Sequence, residues 1–201
     1  MKLILIIFII SISSCFGQDY SEINKGLNLP DSLEYESEIR IYKDFSTTDG
    51  MEIFRMYNKG KNEWVVTIYY YNKTFKSATK IDMIEFPKEN LGELKAKNAN
   101  LIWLKFLLTD IDKLPNLKDI SYKLKKSKIE FINGEYSIAR NVMSVVDGQS
   151  YFVNFRNLKK TNNFFFSNPE TYLSNYSDVD ELISYNQILK IIKNEFNRWN
   201  D

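Results

Sequence analysis

The chain has 201 residues, with 27 Lys and Arg against 26 Asp and Glu, no histidine and one cysteine. Without imidazole there is no Ser-His-Asp or Cys-His nucleophile, no histidine general base and no His-containing zinc site. Near-neutrality argues against a nucleic-acid partner, whose recognition rests on neutralising many phosphates.

Lys2 is the only charge before an apolar run from Leu3 to Ile12, broken by Ser11 alone, which gives way to Ser13, Ser14, Cys15, Phe16 and Gly17. That layout is a bacterial export signal, and a run of this length falls short of the ~20 apolar residues of a membrane span. Residues 1–17 therefore read as a signal peptide and 18–201 as one globular domain. Two cleavage readings stand side by side. Ile12-Ser13-Ser14-Cys15 resembles a lipobox, in which Cys15 is acylated and becomes the mature N-terminus. Cys15-Phe16-Gly17 before Gln18 also fits the small-x-small rule of ordinary signal peptidase, which would remove Cys15. The expected location is the periplasm or the extracellular space, or the outer membrane if Cys15 is lipidated, and the only membrane contact expected is that anchor.

Once Lys2 is taken off the 27 basic residues, the remainder balances the 26 acidic ones. The mature part has no cysteine other than a retained Cys15, so hydrophobic burial must hold the fold without disulfides.

Residues 18–36 have little periodicity and contain Pro30, so they read as an extended N-terminal arm. From Glu38 the pattern alternates, with Ile39, Ile41 and Phe45 on one side and Arg40, Tyr42 and Asp44 on the other. Thr48-Asp49-Gly50 supplies a turn, Met51 to Tyr57 a second strand, Asn58 to Asn62 a turn and Glu63 to Tyr71 a third strand. Leu91 to Leu108 fits a helix through Leu91, Leu94, Asn98, Leu101, Leu104 and Leu108, ending before Pro115. Lys128 to Ile132, Tyr136 to Val146 and Tyr151 to Arg156 return to strand, with Asn133-Gly134 and Asp147-Gly148 as turns, and Phe164 to Phe166 adds a short strand. Asp178 and Glu181 form a capping pair ahead of a stripe of Leu182, Tyr185, Leu189, Ile192, Phe196 and Trp199, a long C-terminal helix that should close the core. The fold class is thus α+β, antiparallel meanders packed against a middle and a C-terminal helix.

Familiar chemistry is sparse. Ser77-Ala78-Thr79-Lys80 matches the S-x-x-K signature of penicillin-recognising enzymes, but no K-T-G accompanies it. Asp110-Ile111-Asp112 and Asp178-Val179-Asp180-Glu181 lack the further ligands and glycine of a calcium loop. Seven glycines include no P-loop and no G-x-G-x-x-G. The cluster Lys123, Lys125, Lys126 and Lys128 reads as a solvated loop or helix end. No cofactor, metal site or catalytic residue is assigned. The 14 Phe, 13 Tyr and 3 Trp are roughly twice what such a core demands. With Trp64, Val66, Ile68 and Tyr70 on the buried face of their strand, Tyr69, Tyr71 and Tyr57 fall on the opposite face. There they are either a ligand-binding surface for a glycan, a peptide or an envelope protein, or lie beneath the N-terminal arm or the middle helix.

Leu108-Thr109-Asp110-Ile111-Asp112-Lys113-Leu114-Pro115, Asp147-Gly148-Gln149-Ser150-Tyr151 and Asn168-Pro169-Glu170-Thr171-Tyr172-Leu173 resemble uncharacterised exported proteins of flavobacteria, a family that brings no activity to transfer. Export, absent imidazole and aromatic surplus together favour a non-enzymatic binding module of the envelope or secreted fraction. The alternatives are a small carboxylate-dependent enzyme acting on glycans, with two acids about 5 to 10 Å apart in one cleft, and an inhibitor or immunity partner. Metabolic labelling with a palmitate analogue tests the anchor: label that disappears in Cys15→Ala supports lipidation, whereas unlabelled wild type or label surviving the substitution excludes it.

Overall fold

The computed structural model describes residues 20–61, 63–86, 98–143, 145 and 148–199. A short helix α1 (Tyr20–Gly26) precedes a meander of β1 (Ser37–Phe45), β2 (Gly50–Asn58), β3 (Trp64–Asn72) and β4 (Ser77–Phe86). After α2 (Ala99–Leu107), a single 3-10 turn (Leu117–Ile120) and a separate hairpin of β5 (Lys125–Ile132) and β6 (Glu135–Val142), the chain returns as β7 (Gln149–Asn157) and β8 (Lys160–Ser167). It ends in α3 (Pro169–Asn175) and α4 (Asp180–Phe196). The main sheet is antiparallel in the order β4-β3-β2-β1-β7-β8, so β1 sits inside it with β2 and β7 as neighbours. The α+β class expected from the alternating and helical patterns is the one observed. No helix among the described residues is long and apolar enough to cross a membrane.

Strand alternation sorts the side chains into two cores. Ile39 and Ile41 of β1, Phe54 and Met56 of β2, Trp64, Val66 and Ile68 of β3, Val153 and Phe155 of β7, and Phe164 and Phe166 of β8 share the larger one. Helix α4 covers it with Leu182, Tyr185, Ile188, Ile192 and Phe196; of the stripe read from the sequence, Leu189 is only partly buried, with Ile188 taking the inward place, and Trp199 lies past the helix end. The Tyr185 ring lies parallel to Phe166 at 4.6 Å, and its hydroxyl donates to the carbonyl of Pro115 at 2.6 Å. Helix α2 adds Ile102, Trp103 and Phe106, and its start is tied down by Trp64 Nε1 donating to Asn100 at 2.7 Å.

Four local expectations need correction. Tyr20–Gly26 is helical rather than extended, a seven-residue element too short to show a periodic stripe. Helix α2 begins at Ala99, preceded by Asn98, whose side chain accepts from the amide of Leu101 at 3.1 Å as an N-cap, and the expected portion from Leu91 to Lys97 lies outside the described residues. Its buried face is Ile102, Trp103 and Phe106, while Leu101, Leu104 and Leu108 are exposed. The helix is apolar almost all round, and the bulkier aromatic face goes inward. At α4 the N-cap is Val179 with no side-chain bond, and Glu181 instead meets Lys123 at 2.6 Å. Strand β4 and helix α3 have no counterpart in the sequence pattern. A register shift opposite Tyr70 and Tyr71 interrupts the alternation of β4, and α3 is again only seven residues long.

The other face of the sheet is closed by the N-terminal segment. Ile23, Leu27 and Leu29 pack with Tyr42, Met51, Ile53, Tyr69 and Tyr71 in the second core. Beside it lies a buried ion network. Glu38 Oε1 accepts from Arg40 Nε at 3.0 Å and Arg55 Nε at 2.8 Å, while Oε2 accepts from the backbone amides of Glu34 at 2.7 Å and Tyr35 at 3.0 Å. Arg40 then donates to the carbonyls of Pro30 at 2.5 Å and Ser32 at 3.2 Å, and Arg55 to Glu34 at 2.9 Å. Burial opposes the charge on Arg55, but Glu38 and hydrogen bonds to Glu38, Glu34 and Tyr69 outweigh it and push its pKa up. Each charged group thereby exchanges water for a partner, which burial of ions requires.

Glu38→Gln keeps the shape but leaves the Arg40 guanidinium without its counter-charge and Arg55 with Glu34 alone. Urea denaturation should show a loss of about 3 kcal/mol or more, with protease cleavage appearing first in residues 20–36. A second expectation concerns alkaline pH. Burial pushes the phenols of Tyr185 and Tyr20 well above their ordinary range, which favours the neutral form in the folded state. Their contribution is complete below the unfolded value of about 10 and is lost as pH rises beyond it. Tyr185→Phe should cost about 1 kcal/mol at pH 7 through the missing bond to Pro115, and its stability should fall less steeply above pH 10 than that of the parent.

Candidate functional site

A cleft of about 270 Å³ opens where α3 and the last two turns of α4 meet the beginning of β7. Its wall depends on one tight approach. Asn168 adopts a left-handed conformation (φ 43°) before α3, and its side-chain oxygen accepts from the amide of Gln149 at 2.8 Å. Gly148 lets this happen, because a Cβ there would stand 1.9 Å from that oxygen. Tyr151 donates its hydroxyl to Gln149 Oε1 at 2.6 Å, leaving the amide NH2 of Gln149 as the donor available to a ligand.

The opposite wall is Trp199. Beyond α4 the backbone turns left-handed at Asn197 (φ 53°) and again at Trp199 (φ 58°). A bulky residue in that region costs on the order of 1–3 kcal/mol, a kind of strain that clusters at functional positions. The indole is fixed by donation to Glu52 Oε2 at 2.9 Å and lies 6.0 Å from the ring of Tyr151, with the ammonium of Lys43 5.6 Å from its face. Trp199 and Gln149 also border a second, wider opening with Lys43, Phe45, Glu52 and Tyr70, so the two form one groove across the end of the sheet.

Charge on the rim is mostly positive. Lys190 and Lys193 line the cleft from α4, both exposed, three residues apart on one helix face, and neither ion-paired among the described residues. Like charges at that spacing repel. The helix dipole favours a cation in the last turn, which accounts for Lys193 but not for Lys190, a turn further back. Glu170 is the acid in the lining.

The residues singled out from the sequence lie elsewhere. Tyr69 and Tyr71 do face away from Trp64, Val66 and Ile68, but they are only 8% and 3% exposed, beneath the N-terminal segment. Gly26 of α1 approaches so closely that a Cβ there would be 2.8 Å from the Tyr71 ring. Tyr57 is half-buried, stacked on Tyr35 at 4.3 Å with the Arg55 guanidinium 4.4 Å from its ring. The three tyrosines form no common open surface. Cys15 lies outside the described residues.

Ser77 and Lys80 stand on strand β4, where a three-residue separation spans ~10 Å instead of the single helical turn that lets a lysine reach a serine. Lys80 pairs with Asp82 at 3.0 Å. Asp110 and Asp112 line one cavity, but Lys113 meets the first at 3.2 Å and Lys160 the second at 2.6 Å. The hydrogen bond from Lys160 holds the Asp112 carboxyl below its usual range, the wrong direction for a general acid. Among the described residues no three Asp, Glu, Cys or His side chains gather as metal ligands. Of the lysine cluster, Lys123 lies in an exposed turn, as expected, while Lys125, Lys126 and Lys128 are exposed on strand β5 at the root of the β5–β6 hairpin rather than in a loop or helix end.

The sequence pattern places Trp199 on the α4 stripe and Gly148 in a turn, and assigns Asn168 no role in a site. That these segments converge in space had no signal in their spacing. Compared with family models, curated proteins and solved structures, the chain finds no match in any of the three.

Proposed function

We propose that the chain is an exported, non-enzymatic binding module that takes a carboxylate-bearing saccharide in the cleft at Trp199. The observation that carries this reading is the indole of Trp199, held in a left-handed backbone position beside Tyr151 under a rim of two exposed lysines that have no ion pair among the described residues. A flat aromatic face suits the C–H side of a sugar ring, and the amide of Gln149 supplies a neutral hydrogen-bond donor to its hydroxyls. Lys190 and Lys193 suit the carboxylate of a uronic acid, because a charge-assisted bond is about twice as strong as a neutral one. A volume near 270 Å³ accommodates a ring or two rather than a long chain. Asp110, Asp112 and Glu52 are engaged by cations or by the indole of Trp199. Glu170 is the single acid among the described residues lining the cleft, so they bring no pair of carboxylates to it, which favours recognition over acid–base chemistry.

Oligogalacturonate provides the test, read by tryptophan fluorescence. Trp64 and Trp103 are buried in the core, so a change on titration reports on Trp199. Trp199→Ala should abolish the change, and Lys190→Ser with Lys193→Ser should weaken binding at least tenfold, about 1.4 kcal/mol, while neutral xylo-oligosaccharides leave the parent unaffected. No response to oligogalacturonate, or an equal response in Trp199→Ala monitored by calorimetry, overturns the cleft. Release of new reducing ends overturns the non-enzymatic reading.

A further inference from the structure

Among the described residues no side chain of the β5–β6 hairpin belongs to either core, although the ammonium of Lys126 lies 5.4 Å from the ring of the core residue Tyr176. Its turn is Asn133-Gly134 with φ of 54° and 88°, the two positive values of a tight type I′ connection. A two-stranded hairpin in water is marginal by itself, yet this one holds out apolar side chains. Ile129 pairs with Ile138 and Phe131 with Tyr136, the latter rings 4.8 Å apart, and all four fall on one face with exposures of 75%, 65%, 62% and 80%. Strand alternation puts Lys125, Ser127 and Arg140 on that same face, nearer the root. The two acids of the hairpin, Glu130 and Glu135, fall on the other face, where Glu130 is paired with Lys128 at 2.6 Å.

We propose that this face of the hairpin docks on an anionic lipid surface, with Ile129, Phe131, Tyr136 and Ile138 entering the headgroup boundary and Lys125 and Arg140 meeting lipid phosphates. Charge selects the occupant. The face is apolar and basic with no acidic side chain, so a second copy of the chain brings no counter-charge to Lys125 and Arg140. The four apolar groups form a flat patch beside a polar turn, which a bilayer interface accommodates without a matching groove. Aliphatic and aromatic side chains with a basic flank are the composition that holds amphipathic elements in the interface plane, about 5–10 Å deep, and anionic headgroups attract each nearby Lys or Arg. This contact is independent of both the cleft and any acyl chain on Cys15.

The chain recovered from exporting cells, carrying Cys15→Ala so that no acyl group contributes, is sedimented with vesicles of phosphatidylglycerol or of phosphatidylcholine. The parent should pellet with the anionic vesicles at low salt and stay in solution with the neutral ones. Phe131→Ser with Ile138→Ser should lower partitioning about tenfold or more, and Lys125→Ser with Arg140→Ser should do the same while abolishing the salt dependence. Ile132→Ser, on the opposite face, should change it little. All three leave buried residues untouched, so thermal unfolding verifies that the fold is intact. Failure of the parent to pellet with phosphatidylglycerol overturns the proposal, as does equal pelleting by the Phe131 and Ile138 variant. A parent dimer in equilibrium sedimentation that this variant dissociates, without vesicle binding, overturns it too and assigns the face to a second copy instead.

Discussion

The carboxylate of Glu38 is where two halves of the structure are joined. It sits inside the sheet on β1, bonds guanidinium groups from β1 and β2, and captures two backbone amides of the segment that precedes the sheet. Arg40 finishes the connection by reaching the carbonyls of Pro30 and Ser32. An isolated carboxylate in that position would shed its charge or drive the structure apart. Here every lone pair is used, and the interaction therefore fixes geometry: residues 27–36 can follow one path only if all of these bonds are to be made together. Replacing the network by apolar residues would not reproduce that path, because hydrophobic contact has no preferred direction.

The consequence for surface chemistry is that, while the edge strand β4 leaves Ile81 and Met83 exposed, the central strands of the sheet offer neither face to a ligand. One is beneath α2 and α4, the other beneath α1 and the clamped segment. Concave space is left at the sheet's ends and rims, where loops and helix termini meet the strands, and the groove at Trp199 is of that kind. The aromatic surplus has a structural use in this arrangement. Without disulfides, two cores on a single sheet need large side chains, and stacked sets such as Tyr151, Phe166 and Tyr185 supply them.

Much of the strand framework is visible in the sequence, since alternation survives wherever one face of a strand is buried and the other is different. β1 and β3 show this well, even though both of their faces are covered, because one core is aliphatic and aromatic and the other mixes tyrosine with buried ions. The pattern fails where a bulge breaks the period, as at Thr79 in β4, and where an element is too short to have one, as in α1 and α3. Helix α2 shows a third limit: with Leu101, Ile102, Trp103, Leu104, Phe106 and Leu107 in one stretch, periodicity does not say which face wins. The groove was illegible for a different reason. It arises from Asn168 reaching Gln149 and from the backbone reversal that brings Trp199 over β2, both long-range events for which residue spacing carries no information.

Synthesis runs from the N-terminus, and the clamp imposes an order on folding. Tyr20 stacks on Phe152 at 4.1 Å, and Arg156 donates to the carbonyl of Leu33 across 123 positions of chain. Those two contacts reach β7, but the rest of the seat, Tyr42, Met51, Ile53, Tyr69 and Tyr71 with the Glu38 clamp, is complete once β3 is in place. The earliest part of the domain to emerge therefore finds most of its seat in the meander that directly follows it, and only its edge at Tyr20 and Leu33 waits for the slow closure of the long loop to β7. The nascent domain accordingly covers one face of its sheet before the strands and helix that complete the other have left the ribosome.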